Sequence, residues 1–277
     1  MEHNDEDLFL MQQLAPNNIV GVHNYCDGWC ERCGFANRCV INMSRPPEEE
    51  RRGEDPLLDH LKQRFDEVRT LVTRRSTFNV VEMIDACNEA GGQTGPDVII
   101  AVKNDEARRK HRRRHDPILR EAQAYSGIAR AWMDAETDGL RAHADALVKR
   151  AEVENVDDIL LSDLSRLLDA IEIIRHDCFL IFVKLHRAID GLEERSKEQD
   201  EDADPVQNDY NGSAKLALTC IDRSEGAWRA IDRWYPGCGA ARALADQLAA
   251  LRAAVEQRLP YARAFLRPGF DGLMTPN

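Results

Sequence analysis

Apolar residues recur every three or four positions through most of the chain after residue 56, which is the spacing of one face of an α-helix. No segment shows the strict alternation of a half-buried strand, so we expect an all-α fold, a multi-helix bundle. The pattern predicts helices over about 57–90, 117–151, 157–195 and 240–259, with another between the Asn211-Gly212 turn and Pro236.

Individual residues also predict where one helix begins and which segments are buried. Asp116 is a good N-cap residue in front of Pro117, whose fixed φ suits the first helical position. The run Cys178 to Val183 is apolar on every side, which predicts a helix buried in the centre of the bundle. The aromatic tail from Phe265 to Phe270 is expected to dock on the bundle.

Four of the eight cysteines fall within fourteen residues, with the spacing C-x3-C-x2-C-x5-C: Cys26, Cys30, Cys33 and Cys39. Two glycines between them, Gly28 and Gly34, give the backbone the freedom to turn the sulfurs toward one centre. Soft thiolates suit zinc and iron–sulfur centres. We therefore expect residues 1–43 to form a small N-terminal cysteine-rich, metal-binding head.

An iron–sulfur cluster and zinc are the two candidate metals, and unmetallated redox-active thiols are a third interpretation. Structural zinc sites usually take two separated C-x2-C pairs, and this segment contains one. Clusters accept cysteines that follow one another along a single loop. If residues 26–33 were helical, Cys26 and Cys33 would lie about 10 Å apart along the axis. This span favours a 4Fe-4S cluster and leaves Zn²⁺ as the alternative.

The stretch Cys30-Glu-Arg-Cys33-Gly-Phe-Ala-Asn-Arg-Cys39 resembles part of a known iron–sulfur site. It is similar to the C-x2-C-x5-C half of the 4Fe-4S site in CRISPR-adaptation and AddB-type nucleases of the PD-(D/E)XK superfamily. The resemblance covers about ten residues, and the acidic and lysine residues of the nuclease core have no counterpart here. What the resemblance implies is a cluster and not a nuclease.

Five other residues of the cysteine segment are expected to support the centre. Arg32 and Arg38 would offset the excess negative charge of four thiolates. Tyr25, Trp29 and Phe35 would either keep water from the sulfurs or anchor the segment to the bundle. The sequence leaves both roles open.

A linker is predicted at residues 44–56, where three prolines and a high density of charge resist helix and burial. The helical bundle would then occupy residues 57–277. The acidic N-terminus and the short apolar run 8–11 predict neither a secretory signal nor a membrane span, so we expect a cytoplasmic protein. In a reducing compartment the scattered cysteines are expected to be small core residues: Cys87, Cys178, Cys220 and Cys238.

The chain carries a formal charge of −12, so its surface as a whole should repel nucleic acid and anionic lipid. One dense basic run is the exception: Arg108, Arg109, Lys110, Arg112, Arg113 and Arg114. This run could hold the phosphates of a nucleic acid or another polyanion. Alternatively, it could pair with the acidic residues at 200–204 or 48–50. The excess of Arg over Lys, 30 to 7, is typical of a GC-rich bacterial genome.

A polar stripe on the helix predicted at 157–195 is a second candidate site: Asp169, Glu172, His176 and Arg187. Ionisable groups on a buried helix must be paired or must line a polar cavity. We favour pairing, with His176 satisfied by Glu172 one turn earlier and Arg187 reaching the helix end. A ligand cavity is the alternative.

Two classes of function remain open on the sequence. The first is a binding or regulatory protein, in which the metal centre anchors the head and the basic run meets a polyanion. The second is a redox enzyme or electron-transfer protein that couples the cysteine centre to the polar site in the bundle. The cysteines are accounted for structurally, so we favour the first.

Overall fold

The computed structural model describes residues 17–43, 115–153, 158–195, 204–235 and 237–271. Within these ranges the regular secondary structure is helical and contains no strand, which confirms the all-α class for this part of the chain. Several predicted features lie outside the described residues: the helix at 57–90 with Cys87, the linker at 44–56, the basic run at 108–114 and the acidic residues at 48–50 and 200–203.

The helices of the described residues are α1 (Val40–Met43), α2 (Pro117–Val153), α3 (Asp158–Arg195), α4 (Asp209–Trp234) and α5 (Gly239–Arg258), with 3₁₀ turns at Cys30–Arg32, Ala36–Arg38 and Ala262–Ala264. The four long helices pack against one another: α4 contacts α3 and α5, and α2 also contacts α3 and α5. Among the described helices, none combines the length and the apolar character needed to cross a bilayer.

Capping side chains mark the first turns of α2 and α4. The carboxylate of Asp116 accepts hydrogen bonds from the backbone N–H groups of Ile118 at 2.9 Å and Leu119 at 3.1 Å, so α2 starts at Pro117 as predicted. The side chain of Asn208 caps α4 in the same way, accepting from the N–H of Asn211 at 3.0 Å.

Aromatic residues from α2 and α4 pack together in the core of the bundle. The rings of Trp132 and Trp228 meet edge to face with centroids 4.9 Å apart, and the indole N–H of Trp228 donates to the hydroxyl of Tyr125 at 3.0 Å. Tyr125 and Trp228 are both fully buried. Three of the scattered cysteines are buried beside this core, as expected: Cys178, Cys220 and Cys238.

The prediction that the run 178–183 is buried on every side is wrong. The side chains of Phe179 and Val183 are 42% and 38% exposed. Helix α3 buries the face that carries Ile181 and Leu185 against its neighbours and turns the opposite face outward. The guanidinium of Arg130 lies over the ring of Phe179, 5.1 Å from its centroid. A run of apolar residues can be buried on every side of a helix. A side chain in the run nevertheless stays exposed where no other element packs against it.

The hydrogen bond between Tyr125 and Trp228 generates a prediction about stability. Replacing Tyr125 with Phe would leave the buried indole N–H without its acceptor, which should lower the free energy of unfolding by about 1–3 kcal/mol. Urea denaturation followed by circular dichroism measures the loss. The control is Tyr261→Phe, because Tyr261 is 52% exposed; that variant should lie within about 0.5 kcal/mol of the wild type. Equal stabilities of the two variants would contradict the role of the hydrogen bond.

Candidate metal centre

The cysteine segment, residues 17–43, folds back on itself so that its two ends meet. The N–H of Ile19 donates to the carbonyl of Arg38 at 3.0 Å, and the N–H of Val40 donates to the side chain of Asn18 at 3.2 Å. Gly28 adopts a φ of 76°, a left-handed conformation that favours glycine. The turn at Gly28 lets the chain reverse between Cys26 and Cys30.

All four cysteines of the segment border one partly open cavity, whose empty space together with the open solvent at its mouth is about 280 Å³. Among the described residues these four cysteines form no disulfide, and Cys39 is buried. The walls of the cavity come from Val22, Trp29 and Ala36 of the same segment and from Phe270 of the C-terminal tail. Within the described residues, no three His, Cys, Asp or Glu side chains form a group that could hold one metal ion. The four thiols thus face a common space without converging on a single point.

Backbone N–H groups support two of the sulfurs. The N–H of Phe35 donates to the sulfur of Cys33 at 3.4 Å, and the N–H of Gly28 bonds to the sulfur of Cys26. Hydrogen bonds of this kind tune a bound metal centre. Burial nevertheless raises the pKa of the Cys26 thiol overall, so metal binding there must displace a proton.

The positive charge that acts on the thiols includes a lysine that the sequence did not suggest. Lys184 of α3 lowers the pKa of Cys26, although burial has the larger, opposite effect. The two arginines that were expected to offset the charge of the thiolates, Arg32 and Arg38, are not among the residues that line the cavity. Arg32 pairs with Asp169 and Glu172, and the Nε of Arg38 donates to the carbonyl of Asn17 at 2.8 Å.

Trp29 contacts both the cavity of the cysteine segment and the helical bundle. It borders the cavity, and it is buried against α3, where its ring stacks on His176 with centroids 4.4 Å apart and planes at 15°. Two guanidinium groups cover the same ring: Arg32 at 4.1 Å from the centroid and Arg223 at 5.2 Å. Cations over an indole face are attracted by its electron density.

The other two aromatic residues anchor the segment and do not border the cavity. Tyr25 packs edge to face on Phe265, with centroids 4.7 Å apart, and both rings lie close against Gly212 of α4. A β-carbon at Gly212 would fall 2.4 Å from the ring of Tyr25, so this contact requires glycine. Phe35 contacts Phe270 at 5.1 Å. The tail docks as predicted, with Phe265 buried.

A buried ion pair joins the segment to the bundle. The guanidinium of Arg223 on α4 binds both oxygens of Asp177 on α3, at 2.6 and 2.7 Å, and donates to Asp27 at 2.8 Å. Asp177 is fully buried. Burial alone would raise the pKa of Asp27, but the charge and hydrogen bond of Arg223 hold it below its ordinary value. Arg223 therefore binds two carboxylates that come from distant parts of the chain.

The polar stripe on α3 serves as the docking face for the segment. Asp169 and Glu172 both pair with Arg32, the latter at 2.5 Å. The partner that the structure assigns to His176 is the neighbouring Asp177, with Nδ1 2.7 Å from the carboxylate, beside its stacking contact with Trp29. Arg187 pairs with Asp209, in the first turn of α4, at 2.5 Å. These residues link elements of the structure, and none of them is among the residues that line the cavity of the cysteine segment.

Sequence reasoning did not identify Asp27, Asp177 or Arg223. One signal was present: Asp177 follows Ile174 by three residues and precedes Ile181 by four, so it stands on the apolar face of its helix. A carboxylate in that position needs a cation. The sequence does not say which of the thirty arginines supplies it.

The pairing of Arg223 generates a second prediction. Replacing Arg223 with Gln would leave the buried carboxylate of Asp177 without its cation, and the free energy of unfolding should fall by about 3–5 kcal/mol. Chemical denaturation measures this change. Arg242→Gln is the matched control, because Arg242 is 77% exposed in its pair with Asp232; its effect should stay within about 0.5 kcal/mol. A similarly small effect at Arg223 would show that the buried pair does not hold the interface.

Comparisons with family models, with curated proteins and with solved structures found no match to this chain.

Proposed function

We propose that the protein is a binding or regulatory protein of the cytoplasm whose cysteine segment holds a thiolate-ligated metal centre. One observation carries the proposal: Cys26, Cys30, Cys33 and Cys39 border the same cavity. The donor set fits such a centre, because four soft sulfurs with N–H donors at Cys26 and Cys33 face a space walled by Val22, Trp29 and Phe270. A bound metal centre would link the four cysteines and so stabilise a short segment that has little apolar core of its own.

Within this proposal we favour a 4Fe-4S cluster over Zn²⁺. A single tetrahedral zinc ion requires its sulfurs at about 2.3 Å from one point. A cluster distributes its cysteine ligands over several iron atoms, so it suits sulfurs that surround a space. The four cysteines here border one cavity, which is the arrangement that supports the cluster.

The contacts of the α3 stripe support the binding or regulatory role over the redox alternative. A redox enzyme was expected to use a polar cavity around Asp169, Glu172 and His176. These side chains instead contact Arg32, Asp177 and Trp29. The metal centre would then determine whether the cysteine segment can dock on the bundle, which is a role in binding or regulation.

The metal proposal predicts both colour and composition. Protein purified without oxygen should be brown and should contain iron and sulfide, because thiolate-ligated clusters absorb visible light. Replacing Cys33 with Ser should abolish metal binding and leave the helical circular dichroism signal largely intact. The control is Cys238→Ser, since Cys238 is buried at the start of α5, away from the cavity; it should keep the metal.

Two other outcomes of that experiment have defined meanings. A colourless protein with one zinc per chain would replace the cluster by structural zinc at the same cysteines. If neither metal is present and four thiols react freely in the native protein, the metal centre does not exist.

We further propose that the basic run binds a nucleic acid or another polyanion: Arg108, Arg109, Lys110, Arg112, Arg113 and Arg114. The support is the density of positive charge in an otherwise acidic chain. If phosphates are neutralised, binding to DNA or RNA should weaken steeply with added salt. Replacing the three arginines at 112–114 with Gln should flatten that dependence. No binding at low salt, with lost stability in the triple variant, would favour pairing within the protein.

A further inference from the structure

His23 borders the same cavity as the four cysteines, and within the described part of the chain one of its ring nitrogens has no hydrogen-bond partner. Its Nδ1 atom is buried and forms no hydrogen bond among the described residues. Buried polar atoms in folded proteins almost always have a partner, so an exception needs an explanation. Neutral imidazole is the commonest metal ligand among side chains. A buried ring nitrogen without a partner, on a residue that borders the same cavity as four cysteines, points to ligation.

The turn that carries His23 also carries Cys26. The two residues are three positions apart, and the thiol of Cys26 donates a hydrogen bond to the carbonyl of His23 at 3.3 Å. Gly21, at a φ of 74°, bends the chain immediately before them. His23 and Cys26 therefore border the same cavity, so that an imidazole lies there in addition to the four thiols. The carboxylate of Asp27 also borders the cavity, but it accepts a hydrogen bond from Arg223. A tetrahedral ion or a cubane cluster uses four protein ligands.

We propose that His23 is a second donor for the coordination position that Cys26 fills, so that the centre accepts either a thiolate or an imidazole there. This inference rests on the proposed metal centre. In such an exchange a ring nitrogen of His23 would replace the sulfur of Cys26 as ligand, and the released thiolate would take a proton from solvent. No electron would be transferred. The centre would lose one negative charge, and replacement of Cys by His raises the reduction potential of a cluster.

The test compares metal content and nitrogen ligation in full-length variants purified without oxygen. The variants are Cys26→Ser, His23→Gln, the double variant Cys26→Ser/His23→Gln, and Cys30→Ser. Iron, sulfide and zinc are measured per chain, and pulsed electron paramagnetic resonance of the reduced protein detects nitrogen bound to iron. Labelling histidine with ¹⁵N identifies that nitrogen as imidazole. If the metal is zinc, Co²⁺ added to the metal-free protein serves as the probe, since its ligand-field bands respond when nitrogen replaces sulfur.

A matched control shows whether the effect on metal binding is specific to His23 or follows from removing any histidine. His186 of α3 lies outside the cavity and pairs with Asp190 at 3.2 Å. The variant Cys26→Ser/His186→Gln should therefore behave like Cys26→Ser alone. Far-ultraviolet circular dichroism of every variant shows whether the helices are intact, and His23→Gln alone should retain the metal because Cys26 is present.

We expect Cys26→Ser to keep its metal and to show imidazole coupling, whereas Cys30→Ser loses the metal. The double variant Cys26→Ser/His23→Gln should lose metal affinity by more than the roughly tenfold that loss of an outer hydrogen-bond partner costs. The proposal is overturned if Cys26→Ser loses metal as completely as Cys30→Ser, or keeps it without nitrogen coupling. Metal loss in His23→Gln alone also overturns it. A wild-type protein that binds no metal would refute the proposed centre itself, which distinguishes the two failures.

Discussion

The ion pair between Arg223 and Asp177 is the interaction on which the arrangement of this protein depends. Asp177 is fully buried between α3 and α4, and a charge in that position is tolerated only with a partner and complete hydrogen bonding. Arg223 supplies the opposite charge and two hydrogen bonds to Asp177, and its remaining nitrogen binds Asp27 of the cysteine segment. The same guanidinium therefore satisfies the bundle and positions the segment. An apolar pair could pack the helices equally well, but it would not bind Asp27.

Around this ion pair, the contacts of Trp29 explain how the cysteine segment is held. Its indole separates the cavity from α3 and stacks on His176, whose Nδ1 lies against the same Asp177. Arg32 covers Trp29 and reaches Asp169 and Glu172. A change in the position of Cys30 would therefore move Trp29 against the docking face. The proposed metal centre could therefore affect the bundle through the contacts of the Trp29 ring and of the charged groups around it.

The sequence predicted what depends on local chemistry and missed what depends on distant partners. Helical periodicity located α2 to α5 to within a few residues, and Asp116 marked the start of α2, because neighbours in sequence decide both features. The cysteine spacing identified four thiols that do share a cavity. The polar stripe on α3 was visible, but its partner Arg32 lies 137 residues from Asp169. The exposure of Phe179 was missed because an apolar residue on a helix does not reveal whether another helix covers it.

X-ray absorption at the metal of the anaerobically purified protein tests the central claim, that the four cysteines surround one metal centre, most directly. We predict an iron edge whose fine structure contains a shell of sulfur neighbours and a second shell of iron neighbours, as a cluster requires. A zinc edge with sulfur neighbours alone, at about 2.3 Å, would contradict the cluster and retain the site. Only light oxygen and nitrogen neighbours around the metal would contradict ligation by the cysteines altogether.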